Sequence, residues 1–442
     1  MTVTSLEIAL ALRVPTTTTG TPIMMWGSIP EITGRKIVYV GRVSGETGTE
    51  KIRMGDIVNK NAVDLASDTD VGLKLPLIIK SSTGVRYISG FGSITYCSSR
   101  GEIDEIDFTT PSITRKCLSA SNNKGNIEFC SYDAKNKVLW CGTGGGGGGV
   151  YKLREDLTEI AYKYLNSGYE SVPYGAHLIA IFGKTYVYLI GGTHITENQS
   201  TAPFIIARIP LQNFISEFDN VTYLSEITGY EELVRDTQFG IYDFPTFHGL
   251  VNQKYLLVLG ITSAGQKQAR IYDITSGQLI ATLTDIYIPD VQAGSNHFGK
   301  AFALMNGWLA IKSDGSLVYK DYAGNDKLTG IYNIGVEADM WTHGIITKMT
   351  SDGYEEIYSV IVNGKIPLLD IDVVNKKVKV VDGLTGNPIQ NAKVWLWEVQ
   401  VGSSYVQVPD ATPQELLTDA NGEASFTTTG LGLIVAEIID VP

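Results

Sequence analysis

The sequence predicts an all-β fold, a seven-bladed β-propeller (six blades is the alternative) followed by a small C-terminal β-sandwich. Three observations carry that reading. Short apolar strands, rich in β-branched and aromatic residues, end on glycine again and again: Lys36-Ile-Val-Tyr-Val-Gly41, Val85-Arg-Tyr-Ile-Ser-Gly90, Val138-Leu-Trp-Cys-Gly142, Tyr186-Val-Tyr-Leu-Ile-Gly191 and Tyr255-Leu-Leu-Val-Leu-Gly260. They recur roughly every fifty residues inside groups of about four strand-like runs, which is the period of a propeller blade. From about Asn375 onward the pattern changes to shorter alternating strands cut by turn signals.

Composition narrows the class. The chain has 442 residues, 43% apolar and 19% charged, against a usual charged share of about 25%. That profile excludes a disordered chain and a coiled coil. With 35 Lys+Arg and 47 Asp+Glu the net charge is −12 and no basic block stands out, so nucleic acid is not an expected partner. Forty-seven glycines against 15 prolines point to many tight turns. No apolar run approaches the ~18 residues of a membrane span, so no membrane insertion is expected. The first residues, MTVTSLEIALALRVP, lack a basic leader and are interrupted by Glu7, which predicts no secretory signal.

Taken in order, the glycine-ended strands are joined by Trp308-Leu-Ala-Ile-Lys-Ser313 and Glu356-Ile-Tyr-Ser-Val-Ile361 as the anchors of the last two blades. The clearest unit runs from His248 to Leu283, with turns at Asn252-Gln253, Ser263-Ala-Gly265 and Thr275-Ser-Gly277. The fourth unit is longer, its extra length placed at Thr193 to Asn220. The last unit is short of an outer strand after Ile366–Asp372, and residues 5–13 are expected to supply it, which removes an exposed edge. The expected domains are therefore a propeller over 1–372 and a sandwich over 376–442.

Two resemblances add to this. The Ile190-Gly191-Gly192 diglycine and the Ile271-Tyr-Asp-Ile-Thr-Ser-Gly-Gln-Leu-Ile280 segment resemble the kelch and WD-type propeller superfamily over roughly residues 20–372. The full kelch tryptophan pattern and the WD dipeptide are absent, so the resemblance implies a fold and no activity. Val381-Asp382, Thr385-Gly386, Pro388-Ile389, Asn391-Ala-Lys-Val394 and Leu417-Thr-Asp-Ala-Asn-Gly-Glu-Ala-Ser-Phe426 resemble the transthyretin-like and carboxypeptidase-regulatory-like sandwich family. That likeness implies an accessory module for adhesion, spacing or assembly on the outside of cells or particles.

Candidate chemistry is sparse. His177, His248, His297 and His343 precede the anchor strands at similar intervals, which would gather imidazoles at one mouth of a propeller channel as a binding site; neutral imidazole is a common metal ligand, yet no metal or cofactor is expected. Cys97, Cys117, Cys130 and Cys141 lack zinc-site spacing, and they read either as two disulfides or as buried thiols. Cys130 and Cys141 flank an apparent hairpin. Asn198 and Asn220 head glycosylation sequons. The run from Gly142 to Gly149 contains G-x-G-x-x-G, but a strand follows it where a dinucleotide site needs a helix, so it reads as a long hairpin loop. Ser-Asp-Gly at 313–315 and 351–353 is turn chemistry.

The sequence thus predicts a protein without enzymatic activity. The expected role is structural or recognition work on the surface, tail or spike of a virus particle, in assembly or host attachment, because a virion protein reaches the outside without a signal peptide. Its partners would be other virion proteins or a host receptor or glycan, within an oligomeric assembly. The alternatives are an extracellular propeller enzyme or lectin that binds glycans, and an intracellular protein-interaction scaffold.

Overall fold

The computed structural model describes residues 3–15, 22–30, 36–43, 50–68, 72–81, 84–92, 102–118, 126–133, 136–171, 176–193, 202–241, 249–289, 299–341, 344–372, 374–399, 411–428 and 433–442. In chain order, β1 (Leu6–Pro15) comes first. Four antiparallel strands follow, paired in sequence: β2 (Pro22–Pro30), β3 (Lys36–Val43), β4 (Glu50–Asp56) and β5 (Asn61–Asp68). A second sheet repeats the order with β6 (Gly72–Ser81), β7 (Gly84–Gly92), β8 (Glu102–Asp107) and β9 (Ser112–Cys117). The third set is β10 (Asn126–Asp133), β11 (Val138–Gly146), β12 (Gly149–Arg154) and β13 (Glu159–Tyr164). After helix α1 (Ser167–Glu170), the fourth is β14 (Ala176–Phe182), β15 (Tyr186–Thr193), β16 (Phe204–Pro210) and, beyond helix α2 (Leu211–Glu217), β17 (Glu231–Asp236). These two sets share one sheet, because the far end of β11 also pairs with β14. The fifth contains β18 (Phe239–Ile241) and β19 (Leu250–Val251) on one edge of β20 (Tyr255–Thr262), then β21 (Lys267–Asp273) and β22 (Gln278–Leu283). The sixth is β23 (Ala301–Leu304), β24 (Gly307–Ile311), β25 (Leu317–Asp321) and β26 (Asp326–Leu328). The last is β27 (Asp339–Trp341), β28 (Ile345–Met349) and β29 (Tyr354–Val362), with β1 beyond β29. Serial four-stranded meanders, the last completed by the first strand of the chain, make this a β-propeller.

The chain then forms β30 (Pro367–Asp372), β31 (Lys377–Asp382), β32 (Lys393–Val399), β33 (Gln414–Leu417), β34 (Glu423–Ser425) and β35 (Leu433–Asp440). They divide into two three-stranded sheets, ordered β30-β31-β34 and β33-β32-β35.

The closing strand is held by register, burial and charge. Leu6 lies opposite Val362 and Pro15 opposite Tyr354. Leu12 is 1% exposed, and it packs with Val14, Ile37, Tyr39, Ile345, Met349 and Ile357, so one strand bridges the last sheet and the first. A bulge between Leu10 and Leu12 turns the Ala11 carbonyl outward, where the Lys60 ammonium donates to it. Bulge and lysine blunt an edge that would otherwise invite pairing. Arg13 donates to Glu356 (2.8 Å) and Asp352 (3.0 Å) and lies over the Tyr354 ring.

Glycine at the anchor strands has a steric cause. A Cβ on Gly142 would sit 2.3 Å from the Leu178 carbonyl oxygen, and one on Gly260 would sit 2.4 Å from the Gly240 oxygen. The ends of β11 and β20 therefore approach β14 and β18 backbone to backbone, which only glycine allows.

Three expectations need correction. The glycine run is no long loop: Val138–Gly146 and Gly149–Arg154 are strands, Gly147, Gly148 and Gly149 are buried, and Gly148 lies against His177 of β14 and Gly149 against Tyr162 of β13. The ordered extra length of the fourth unit begins in the later part of the expected 193–220 stretch and runs past it, in α2 and the turns between β16 and β17, and its aromatic residues enter the core. Phe214 and Phe218 are fully buried and meet the Trp140 ring edge-on at 5.1 and 4.8 Å. Lastly, Pro367–Asp372 is not the end of the ring, because it pairs with Lys377–Asp382 across a short hairpin. The boundary between the units therefore falls at the turn before Pro367.

Two outcomes follow in denaturant titrations. Leu12→Ala should cost about 3 kcal/mol, the usual scale for a buried leucine; a loss below about 1 kcal/mol would mean that β1 is only loosely attached. Gly142→Ala should cost about 2 kcal/mol or more, since a strand backbone cannot shift cheaply.

Candidate functional site

An antiparallel meander sends alternate connections to opposite ends, so a propeller has two unlike faces. One face carries the first-to-second and third-to-fourth strand turns. Asn252 and Gln253 both have positive φ (54° and 57°), which lets the Lys254 amide return to the Val251 carbonyl (3.1 Å) and closes the short turn between β19 and β20. Met305-Asn306 and Asp321–Asn325 lie at the same end of the next sheet. The two C-terminal sheets dock here. Gln253 Nε2 donates to Glu437 (3.2 Å), Asn363 Nδ2 to the Val441 carbonyl (2.8 Å) and Lys365 Nζ to the Pro442 carbonyl (2.6 Å). These three hydrogen bonds between the ring and the C-terminal unit fall on one face. A shared apolar core backs them, with Val3, Leu6, Phe302, Leu309 and Val362 in one cluster with Val378, Val394 and Val441.

Asn363 has a second duty. Its Oδ1 accepts from the Thr4 amide (3.0 Å), the Thr4 hydroxyl (3.0 Å) and the Ser5 amide (3.1 Å). One side-chain amide therefore fastens the closing strand with its oxygen and the end of the chain with its nitrogen.

The opposite face carries the second-to-third turns and the connections between sheets. These include the Gly147–Gly149 hairpin, the Ser-Asp-Gly turns at 313–315 and 351–353, and the connecting segments 165–171, 284–289 and 329–338. Asp314 caps its turn by accepting from the Ser316 amide at 2.9 Å. At the glycine hairpin, the Thr143 hydroxyl accepts from the Gly149 amide (3.1 Å) and lies 2.9 Å from the Tyr162 hydroxyl, which donates to the Gly147 carbonyl (2.9 Å). Burial pushes the Tyr162 phenol well up. With the Gly149 amide already engaged, this is a packed hairpin and not a phosphate cradle.

His177 belongs to this face. It is the second residue of β14, opposite Gly192, and is 5% exposed. Among the described residues no set of three His, Cys, Asp or Glu side chains gathers as a metal site. His248, His297 and His343 lie outside the described residues. In chain order His343 falls between β27 and β28, hence after the first strand of its sheet and not ahead of it. Asn198 also lies outside the described residues. Asn220 is exposed at the end of the turn that follows α2.

Cys130 and Cys141 face each other across β10 and β11 and are joined by a disulfide, with their Cα atoms 4.0 Å apart. Cys117 is also disulfide-bonded; Cys97 lies outside the described residues. On the C-terminal unit, an open groove of about 360 Å³ is lined by Lys377, Glu415, Leu417, Asp419 and Glu423. Two of its lining residues, Lys377 and Glu423, form an ion pair (2.8 Å).

The ring also buries ionic clusters. Glu102 and Asp104 are fully buried with Arg115, Lys300 (3% exposed) pairs with Asp339 at 2.7 Å, and Arg53 pairs with Glu355 at 2.5 Å. Alternating acids in Glu102-Ile-Asp104 are normally a solvent face, so the sequence held no plain signal for this burial.

No protein-family model matches the chain, and no curated protein matches it in sequence. Solved structures similar to it include a chain of the mitotic checkpoint complex, with a TM-score of 0.43 and 10% identity over 78% of this chain and 91% of that one. BamB from Moraxella catarrhalis is similar with a TM-score of 0.40 and 10% identity, over 80% and 97% of the two chains. At this level neither likeness assigns a family or an activity.

Asn363→Gly tests the fastening. Glycine keeps the left-handed turn (φ 49° in the parent) and removes every side-chain bond. Stability should drop by about 2 kcal/mol, and limited proteolysis should cut near both chain ends faster than in the parent. Unchanged cleavage at both ends would contradict the role given to Asn363.

Proposed function

We propose that this chain is a non-enzymatic structural and recognition protein, a seven-bladed propeller whose two unlike faces do different work. The sandwich occupies one face and serves as the docking module. The other face, with its long connections, meets a macromolecular partner. In this reading the seven blades are the seven strand groups closed by β1, and the two three-stranded sheets are the layers of the sandwich. The observation that carries it is the division of faces: the hydrogen bonds that join the two units lie on one side of the ring.

The setting we propose is outside the cell, on the surface, tail or spike of a virus particle, with other particle proteins or a host receptor or glycan as partners. The Cys130–Cys141 disulfide supports an oxidising location, since structural disulfides persist there and are rare in reducing cytosol. No cofactor is part of the proposal.

Fractionation of producing cultures, with thiols counted on the native chain, tests it. The protein should travel with released particles and show no reactive thiol. A chain that stays in the cytosol with reduced cysteines would overturn the setting and favour an intracellular scaffold.

A further inference from the structure

The second sheet buries two carboxyl groups for one cation. Glu102 and Asp104 lie on the same face of β8, and both are 0% exposed. Arg115, opposite Asp104 on β9, gives both arms to Glu102, with Nε–Oε1 at 2.5 Å and Nη2–Oε2 at 3.0 Å. Its Nε is 3.9 Å from Asp104 Oδ2, too far for a hydrogen bond. Asp104 Oδ1 accepts from the Lys116 amide at 3.2 Å, whereas Oδ2 is buried with no donor in reach.

The surroundings do not help a second negative charge. Ile106, on the same β8 face, packs with Val38, Ile52 and Met54 of the first sheet, with Leu65 and Ala66 alongside. The cations there are committed elsewhere: Lys51 and Arg53 to Asp64, and Lys36 to the Phe108 carbonyl. At the β7 register positions opposite Glu102 and Asp104 stand Phe91 and Ser89, and on β9 Cys117 and Arg115. A lone carboxylate oxygen in such a place is costly, and the ordinary remedy is a proton.

We infer that Glu102 and Asp104 share a proton on the face by which the second sheet packs against the first, so the ring is more stable in mildly acidic than in alkaline medium. The proton sits on Asp104 Oδ2 and is donated to Glu102, which gives the orphan oxygen a partner and leaves one negative charge for Arg115. Burial, and then the Glu102 charge, push the Asp104 carboxyl up to about 9. The folded state therefore holds a proton that the unfolded chain releases in the ordinary carboxyl range near pH 4. Stability from this site is complete below that range and is lost as pH rises toward 9. Two other buried carboxyls lean the same way: burial pushes Asp339 up to about 6, and Glu437, at the sandwich junction, up to about 8. A single-site comparison is thus needed.

The experiment is the thermal midpoint of the full chain from about pH 5.5 to 8.5, for the parent and for Asp104→Asn. Asparagine keeps an acceptor for Lys116 and a donor for Glu102 without a titrating group. The parent midpoint should fall by roughly 4–8 °C across that range, and the Asp104→Asn slope should be less than half as steep. A parent midpoint that holds or rises, or equal slopes in the two proteins, would overturn the inference. Infrared spectra of the parent at neutral pH provide a reading that does not depend on the variant folding. A protonated carboxyl band protected from deuterium should be present, and its absence would also overturn the inference.

Discussion

The pairing of β1 with β29 is the constraint on which the rest of the ring depends. A propeller sheet buries its faces only against neighbouring sheets, so an open ring leaves apolar faces at both ends of the series. Here the first strand of the chain completes the last sheet, and its inner residues Leu12 and Val14 reach across to Ile37 and Tyr39 of the first. The seam is also tied by polar groups. The Tyr39 hydroxyl donates to Glu355 at 2.8 Å, and Arg53 reaches the same oxygen. Removal of Arg53 would leave Glu355 a buried charge without its cation, which costs more than the pair contributes when intact. The seam is therefore specified by an ion pair and a hydrogen bond that form only when the ring is shut.

The same ring closure positions the C-terminal unit. Because β1 begins beside the turn after β29, Asn363 can hold the start of the chain and its last residues at once. The C-terminal sheets cannot swing freely while three hydrogen bonds and a common apolar core fix them to one face. The opposite face keeps its long connections, and loops on a rigid scaffold are where recognition usually resides. The low charged fraction fits this picture, since strands packed between sheets on both sides have little room for charge.

Much of the ring was legible because the repeated signal had a physical cause. The glycine that ends Val138–Gly142 marks the place where a second strand approaches a neighbouring backbone, and the same holds for Gly260. In the last sheet the anchor run Glu356–Ile361 lies in the third strand, so period alone mis-set its order. The turn residues Asn252 and Gln253 were readable because their left-handed conformations favour such types. The extra length expected at 193–220 does contain α2, but its helical form is not legible, because α2 is short and Phe214 and the following Phe218 serve packing against Trp140 more than helix periodicity. A lone strand does not declare its partner, so the sequence alone places Pro367–Asp372 with the ring, whereas it pairs with Lys377–Asp382. The candidate site was less legible. Asn363 is one polar residue in a turn, and Asp104 sits in a run that alternates like a solvent-facing strand. Their roles come from the distant residues Val441 and Arg115 that the fold brings beside them.

Hydrogen exchange along β29 tests ring closure most directly. Its amides alternate between β28 and β1. If β1 completes the sheet, both sets should exchange only through global opening, with equal and high protection. If the amides that face β1 exchange orders of magnitude faster than those that face β28, the outer edge is open and the account of the ring is wrong.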